Sequence, residues 1–159
     1  MSLPEPAPAA PQLEFFARLE VALDPIREMG AGRAGQRRII PITGGTVKGP
    51  AISGTILNLG ADWQTIFADG GAELDTRYAM ETDDGALIEI VNFGYRNGPP
   101  EIIAALARGE EVDPQHYYMR THALLETGHP RYAWVNQRLF VGSGMRQEQR
   151  VIVDLFMLA

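Results

Sequence analysis

The sequence predicts an all-β fold, an antiparallel barrel or sandwich of about eight strands with one short helix. Two observations lead to this fold class. Runs of residues alternate between apolar and polar side chains, which is the period of a half-buried strand. Turns rich in glycine and proline separate these runs at the spacing of hairpins, and only one segment has helical spacing.

The length and charge of the chain limit its organisation and its partners. A chain of 159 residues fits one domain, so we expect a flexible tail over residues 1–12, rich in Pro and Ala, and a single barrel domain over residues 13–159. The net charge of −6 and the single lysine disfavour nucleic acid and anionic membranes as partners. There is no cysteine, and no apolar run approaches the roughly 20 residues of a membrane span. No secretory signal pattern precedes the barrel, so we expect a cytoplasmic protein.

The first half of the barrel is predicted from three runs. Residues 13–23 alternate almost without interruption and form a half-buried strand. Residues 37–43 form a second strand, which Gly44-Gly45 is expected to turn. Residues 46–59 form a third strand, bent by its glycines, that ends at the loop residues 60–63.

A central hairpin is predicted over residues 73–81 and 86–95, around the turn residues Asp83-Asp84-Gly85. A loop of two or of four residues places Asp75 opposite Asn92 and Arg77 opposite Ile90. A loop of three residues would shift the register and move these side chains apart, because a shift of one residue exchanges the two faces. We predict the first register.

The helix and the remaining strands follow the hairpin. Ile102, Ile103 and Leu106 have helical spacing within residues 101–108, and Gly109 is a suitable C-terminal stop. Strands are predicted over residues 117–126, 132–141 and 151–158, which brings the total to eight.

The hairpin carries the leading candidate site, since Asp75, Arg77 and Asn92 are predicted to share one face. Arg77 offers a planar fork to a carboxylate or enolate, Asp75 can accept a proton, and Asn92 can donate and accept hydrogen bonds. The alternative is that Asp75 and Arg77 form a purely structural ion pair. Both interpretations remain open from the sequence.

Further polar and aromatic residues are candidates for the walls of the same pocket, because ligand pockets combine aromatic walls with a few convergent polar groups. They are Asp62, Trp63, Arg120, Trp134 and Asn136. A plain core role for each tryptophan and an exposed position for Arg120 are the alternatives. The three histidines form no metal-binding pattern, so no metal site is expected.

As an ordered set, several short motifs resemble uncharacterised protein family 0311, also known as domain-of-unknown-function family 3237. The matching pieces are ITGGT at 42–46, GP at 49–50, GADW at 60–63, LDTRY at 74–78, DGA at 84–86, NFG at 92–94, YAWVN at 132–136 and FVG at 140–142. The resemblance implies a β-barrel with a lipocalin-like cavity and a homodimer. It implies no settled activity.

Three functional hypotheses follow. The first is a small-molecule-binding barrel for an anionic or carbonyl-bearing metabolite, with Arg77 as the anchor. The second is a cofactor-independent isomerase, cyclase or lyase, in which Asp75 is the base and Arg77 stabilises the oxyanion. The third is a structural or dimerisation module without a ligand.

Overall fold

The computed structural model describes residues Met1–Ala159 and contains ten strands, one α-helix and two short 3₁₀ segments. The strands are β1 (Leu13–Leu23), β2 (Arg27–Ala31), β3 (Gln36–Lys48), β4 (Ser53–Ile56), β5 (Gly60–Ile66), β6 (Ala72–Thr82), β7 (Leu87–Asn97), β8 (Tyr118–Glu126), β9 (Phe140–Arg146) and β10 (Arg150–Leu158). The helix α1 is Pro100–Ala107, and the 3₁₀ segments are Pro114–His116 and Ala133–Gln137.

The ten strands close into an antiparallel barrel of eight positions. The pairing runs from β1 through β10, β9, β8, β7 and β6 to β3, and β1 pairs with β3 to complete the ring. β4 and β5 share the position between β3 and β6, and β2 continues β1 along the edge of β3. The predicted all-β, eight-stranded antiparallel barrel with one short helix is therefore confirmed.

The apolar core fills one half of the barrel. Its largest buried side chains include Phe140, Ile88 and Leu155, which project inward from three different strands. A smaller cluster, in which Leu106 of α1 packs near Leu74 and Met119, lies at the other end. The space between the two clusters is where polar side chains enter the interior.

Helix α1 lies one residue earlier than predicted and covers one end of the barrel. Proline is favoured in the first turn because its missing N–H has no partner there, and Pro100 begins the helix. Gly109 follows the end with φ of +80°, the left-handed conformation that glycine adopts most readily. Neither α1 nor any other helix is long and apolar enough to cross a membrane.

Three predicted segments have other boundaries in the structure. The predicted strand over residues 46–59 is divided between the end of β3 and β4, and the predicted loop residues 60–63 begin β5. β3 runs without a turn through Gly44 and Gly45 and pairs with β1 there; at Gly45 the two strands lie so close that a β-carbon would collide with the Glu20 carbonyl. Residues 133–137 form a 3₁₀ segment rather than a strand: the Val135 N–H donates to the Tyr132 carbonyl at 3.0 Å, and the Val135 side chain is fully buried. Strand β9 begins only after this segment.

The predicted hairpin register was also wrong. The loop holds three residues: Thr82 N–H donates to the Ala86 carbonyl at 2.8 Å, and Gly85 has φ of +92°. Asp75 therefore opposes Phe93, Arg77 opposes Val91, and Asn92 opposes Thr76. The shift by one residue sends Asp75 and Arg77 to the outer face while Asn92 stays inside.

The hairpin tip is tied to the neighbouring segment by Asp84. Its carboxylate accepts hydrogen bonds from the Thr82 hydroxyl at 2.6 Å, the Tyr132 hydroxyl at 2.8 Å and the Arg131 guanidinium at 2.8 Å. These interactions lower the pKa of Asp84 to about 2, and the hydrogen bonds from Thr82 and Tyr132 make the largest contributions. The charged form of Asp84 is therefore more favourable in the folded protein than in the unfolded chain.

Acid titration of stability tests this role of Asp84. A lowered folded-state pKa contributes stability above the ordinary value of 3.8, and this contribution is lost as the pH falls through about 2. We expect urea unfolding to show a smaller loss of stability between neutral pH and about pH 2 in Asp84→Asn than in the wild type. Equal losses of stability in both proteins would contradict a stabilising role for the charged Asp84 carboxylate.

Candidate functional site

Polar side chains enter the barrel interior from five neighbouring strands. Alternate positions of a strand face the same side, so the inner face carries Asp62 and Gln64 on β5 and Thr76 and Tyr78 on β6. It continues with Asn92 and Arg96 on β7, Thr121 on β8 and Arg146 on β9. Buried polar groups of this number mark a site rather than a packed core.

These side chains line a cavity of about 40 Å³, which is sized for a small group. At Leu23, Arg96 and Arg146 the cavity meets a larger cleft of about 660 Å³ beneath α1. The two arginines therefore stand between the enclosed cavity and the open end of the barrel.

A chain of hydrogen bonds holds Asp62 in the cavity wall. Arg38 Nε donates to Gln64 Oε1 at 2.8 Å, and Gln64 Nε2 donates to Asp62 Oδ2 at 2.6 Å. The backbone N–H of Asp75 donates to Asp62 Oδ1 at 3.0 Å. Because an arginine can only donate, Arg38 fixes the amide orientation of Gln64, which in turn orients the Asp62 carboxyl group.

Burial raises the pKa of Asp62 above its usual value, while the hydrogen bonds from Gln64 and Asp75 and the charges of Arg96 and Arg38 act in the opposite direction. Burial also raises the pKa of the Tyr78 hydroxyl, and the neighbouring Asn92 side chain opposes that shift. Asp62 is thus a carboxyl group that can take up a proton more readily than an exposed one.

Three arginines, Arg38, Arg96 and Arg146, surround the mouth of the cavity, and we call them the arginine cluster. Burial and the charges of Arg38 and Arg146 lower the pKa of Arg96 to about 10. Burial also lowers the pKa values of Arg38 and Arg146. At Arg146 the positive charge of Arg38 adds to this effect. None has a carboxylate within ion-pair distance, unlike the five arginines that form ion pairs elsewhere.

Three buried polar atoms of the cavity wall have no hydrogen-bond partner in the protein. They are Asn92 Oδ1, Arg96 Nε and Thr121 Oγ1, and their residues are 3%, 6% and 8% exposed. A buried polar atom without a partner costs about 1–3 kcal/mol. These three atoms are therefore available to hydrogen-bond a polar group in the cavity, either water or a ligand.

Only two of the eight sequence-based site residues, Asp62 and Asn92, line this cavity. Asp75 and Arg77 project outward, and Arg77 pairs with Glu89 at 3.5 Å on the barrel surface. The geometric basis for their proposed roles, an inward-facing hairpin surface, was therefore wrong. The cause is the three-residue loop.

The other four residues also lie away from the cavity. Trp63 is 43% exposed on the outer face of β5, between the inward Asp62 and Gln64. Arg120 faces outward and stacks on Tyr118. Trp134 and Asn136 lie at the opposite end of the barrel, where Trp134 packs edge-on against Phe16 and the Asn136 amide holds the Thr127 backbone.

Sequence reasoning missed the arginine cluster, Gln64 and Tyr78. The predicted strands ended at residues 95 and 141, before Arg96 and Arg146, so neither was placed on an inner face. With the correct hairpin register, the alternation of Asn92, Gly94 and Arg96 identifies Arg96 as an inward cation. No group of three or more His, Cys, Asp or Glu side chains is placed to hold a metal ion.

The fold and this site define a class: a small closed β-barrel with an enclosed polar cavity behind an arginine-lined mouth. The chain belongs to the family described as protein of unknown function DUF3237, whose model matches residues 11–158. The predicted family is thereby confirmed.

Relatives and solved structures agree with this assignment. UPF0311 protein RPA1785 of Rhodopseudomonas palustris is 46% identical over 144 residues, which cover 91% of this chain and 94% of that protein. Its crystal structure has a TM-score of 0.90, with 42% identity over 96% of this chain and all of that one. A β-barrel-like protein of Acinetobacter baumannii has a TM-score of 0.86, with 48% identity over 98% of this chain and all of that one.

A more distant relative is described as an enzyme. The hydroalkoxylation enzyme phnH of Penicillium herquei is 32% identical over 81 residues, which cover 51% of this chain and 54% of that protein. A crystal structure described as an enzyme from Penicillium herquei has a TM-score of 0.72 at 21% identity, over 96% of this chain and 98% of that one. At this identity the structural likeness concerns the fold alone.

Proposed function

We propose that the protein binds a small organic anion in the barrel cavity, with the acid group of the ligand at the arginine cluster. The observation that carries this proposal is the set of three part-buried or buried guanidinium groups without a carboxylate partner. Burial of a charge that has no direct ion-pair partner is costly. An anionic ligand supplies the missing counter-charge.

The balance of charge supports an anion in particular. The cavity wall contains one acidic side chain, Asp62, and two arginines, Arg96 and Arg146. A third arginine, Arg38, lies outside the wall and donates a hydrogen bond to the wall residue Gln64. The carboxyl oxygens of Asp62 are occupied by Gln64 and the Asp75 backbone rather than by a guanidinium. Apart from the bond from Arg38 Nε to Gln64 and the bond from Arg146 Nη1 to the Arg150 carbonyl, the three arginines keep their donors for a ligand, and their planar forks match carboxylate geometry.

The dimensions favour a small ligand or a small acidic head. The enclosed cavity holds only a few non-hydrogen atoms, while the adjoining cleft beneath α1 has room for a longer substituent. The wall between the polar groups is apolar, with Val21, Ile40 and Ile42 among the lining residues. This combination of an apolar wall and a few convergent polar groups is typical of metabolite sites.

Calorimetric titration with a panel of small carboxylates tests the proposal. The panel contains monocarboxylates, dicarboxylates, 2-oxo acids and phenolic acids, titrated into the wild type and into Arg146→Met. We expect at least one acid to bind the wild type, and a loss of 10-fold or more in affinity in Arg146→Met, because a charge-assisted hydrogen bond contributes about 1.5–3 kcal/mol.

Arg77→Met is the matched control, since Arg77 lies on the outer face of the barrel. Its affinity for the same acid should equal that of the wild type. Absence of binding by every panel member would refute the proposal, and so would an equal loss of affinity in the two arginine variants.

A further inference from the structure

The unpartnered atoms of the cavity differ in kind, which restricts the chemistry of the ligand. Arg96 Nε–H is a donor, Thr121 Oγ1 can donate or accept, and Asn92 Oδ1 only accepts. A simple carboxylate only accepts hydrogen bonds, so it can satisfy Arg96 and Thr121 but not Asn92. A ligand that satisfies all three atoms directly, without a bridging water, also carries a hydrogen-bond donor such as a hydroxyl group.

Asp62 lies in the same wall and is free to exchange a proton. Each of its oxygens accepts one N–H bond, from Gln64 at 2.6 Å and from the Asp75 backbone at 3.0 Å, and each retains a second lone pair. Asp62 forms no ion pair that would hold it ionised. Its burial strengthens it as a base relative to an exposed aspartate, since its pKa is raised.

From this geometry, and resting on the proposed anion site, we infer that the protein is a cofactor-independent keto–enol tautomerase of small 2-oxo acids, with Asp62 as the proton-transferring group. A 2-oxo acid carries an acid group, a carbonyl and an exchangeable C–H on three adjacent carbons. It is therefore a minimal ligand for a cavity of about 40 Å³ that has cations, a donor, an acceptor and a base in its wall.

The reaction needs no oxidant, reductant or second substrate. The Asp62 carboxylate removes a proton from C3 of the 2-oxo acid, the C–H bonding pair forms the C2=C3 double bond, and the carbonyl π pair moves onto the oxygen. Arg96 Nε–H donates to this enolate oxygen. Protonated Asp62 then returns its proton to the oxygen, which gives the enol and restores the carboxylate.

Asn92 distinguishes the enol from the keto form. The enol O–H can donate to Asn92 Oδ1, whereas the keto form has no donor at that position and leaves this buried oxygen unpartnered. This contact stabilises the bound enol relative to the bound keto acid, whereas the developing enolate oxygen is stabilised by the Arg96 Nε–H donor during C–H removal. Gln64 is a positioning residue, because it orients Asp62 without facing the reacting atoms itself.

Deuterium exchange tests the inference. Pyruvate, 2-oxobutyrate and phenylpyruvate are incubated with the wild type, Asp62→Asn or Arg77→Met in D₂O, and loss of the C3 proton signal is followed by NMR. We expect the wild type and Arg77→Met to accelerate exchange of at least one acid by about 100-fold or more, the usual contribution of a general base, and Asp62→Asn to lose this acceleration.

Binding of the same acids by calorimetry separates this inference from the proposed function. Binding without accelerated exchange overturns the tautomerase and leaves the anion site in place, whereas no binding overturns the anion site and the tautomerase with it. Exchange that survives in Asp62→Asn also overturns the inference. If Asp62→Asn loses its circular dichroism signal, Asp62→Ser, which also lacks the carboxylate, replaces it, and retained wild-type exchange in that variant would contradict the assignment.

Discussion

Replacing Arg96 with methionine is expected to raise the stability of the ligand-free protein while it weakens anion binding. The Arg96 guanidinium is buried beside Arg38 and Arg146, and these surroundings lower its pKa from 12.5 to about 10. The charged form is therefore less favourable in the folded state than in the unfolded chain. Methionine keeps an unbranched stem of similar length and removes the charge, so we expect a gain of about 1–3 kcal/mol at neutral pH.

Ligand affinity should change in the opposite direction. An anion in the cavity loses its charge-assisted partner in Arg96→Met, and truncation of one member of a buried charge pair costs about 2–5 kcal/mol, or roughly 30-fold to several thousand-fold in affinity. Thermal unfolding and calorimetry of the same variant measure both effects. A variant that is less stable than the wild type would show that Arg96 serves the fold rather than a ligand.

Phe140→Ala is expected to be the most destabilising core substitution. Phe140 is 1% exposed at the start of β9, and its ring centroid lies 4.8 Å from that of Phe16. Truncation of a buried phenylalanine leaves a cavity that the rigid barrel closes only in part, at a cost of about 3–5 kcal/mol. This is a large share of the roughly 5–15 kcal/mol that stabilises a domain.

Phe15→Ala is the matched control for this effect. Phe15 is 47% exposed on the outer face of β1 and contacts Phe156 edge-on. Its truncation should cost less than about 1.5 kcal/mol, because the exposed ring buries little apolar area and loses mainly its contact with one other ring. Chemical denaturation of both variants measures the difference, and equal losses would contradict the placement of the core in this half of the barrel.

The fold was predictable because strand alternation is a local property of the sequence. Residues 13–23 show the period of a half-buried strand, and the structure has β1 at these positions. A bulge between Phe15 and Ala17 nevertheless turns Phe16 rather than Phe15 inward, which alternation alone does not reveal. Strand β2 was missed because all five of its residues are exposed and carry no burial pattern.

The site was less predictable because it depends on the register of one loop. Thr82 and Gly85 stabilise a three-residue loop. The difference of one residue between this loop and the predicted loop of two or four residues decides whether Asp75 or Thr76 shares the inner face with Asn92. The members of the arginine cluster lie on β3, β7 and β9, which are far apart in the sequence. No local sequence motif therefore predicts the cluster. The homodimer and the cytoplasmic location stay predictions.

The most direct test of the central claim, that the mouth of the barrel cavity is an anion site, is anomalous diffraction from crystals soaked in bromide. The account predicts a bromide peak between the guanidinium groups of Arg96 and Arg146 at the mouth of the cavity. Bromide bound only at outward-facing arginines such as Arg77 and Arg120, with no peak at Arg96 and Arg146, would contradict it.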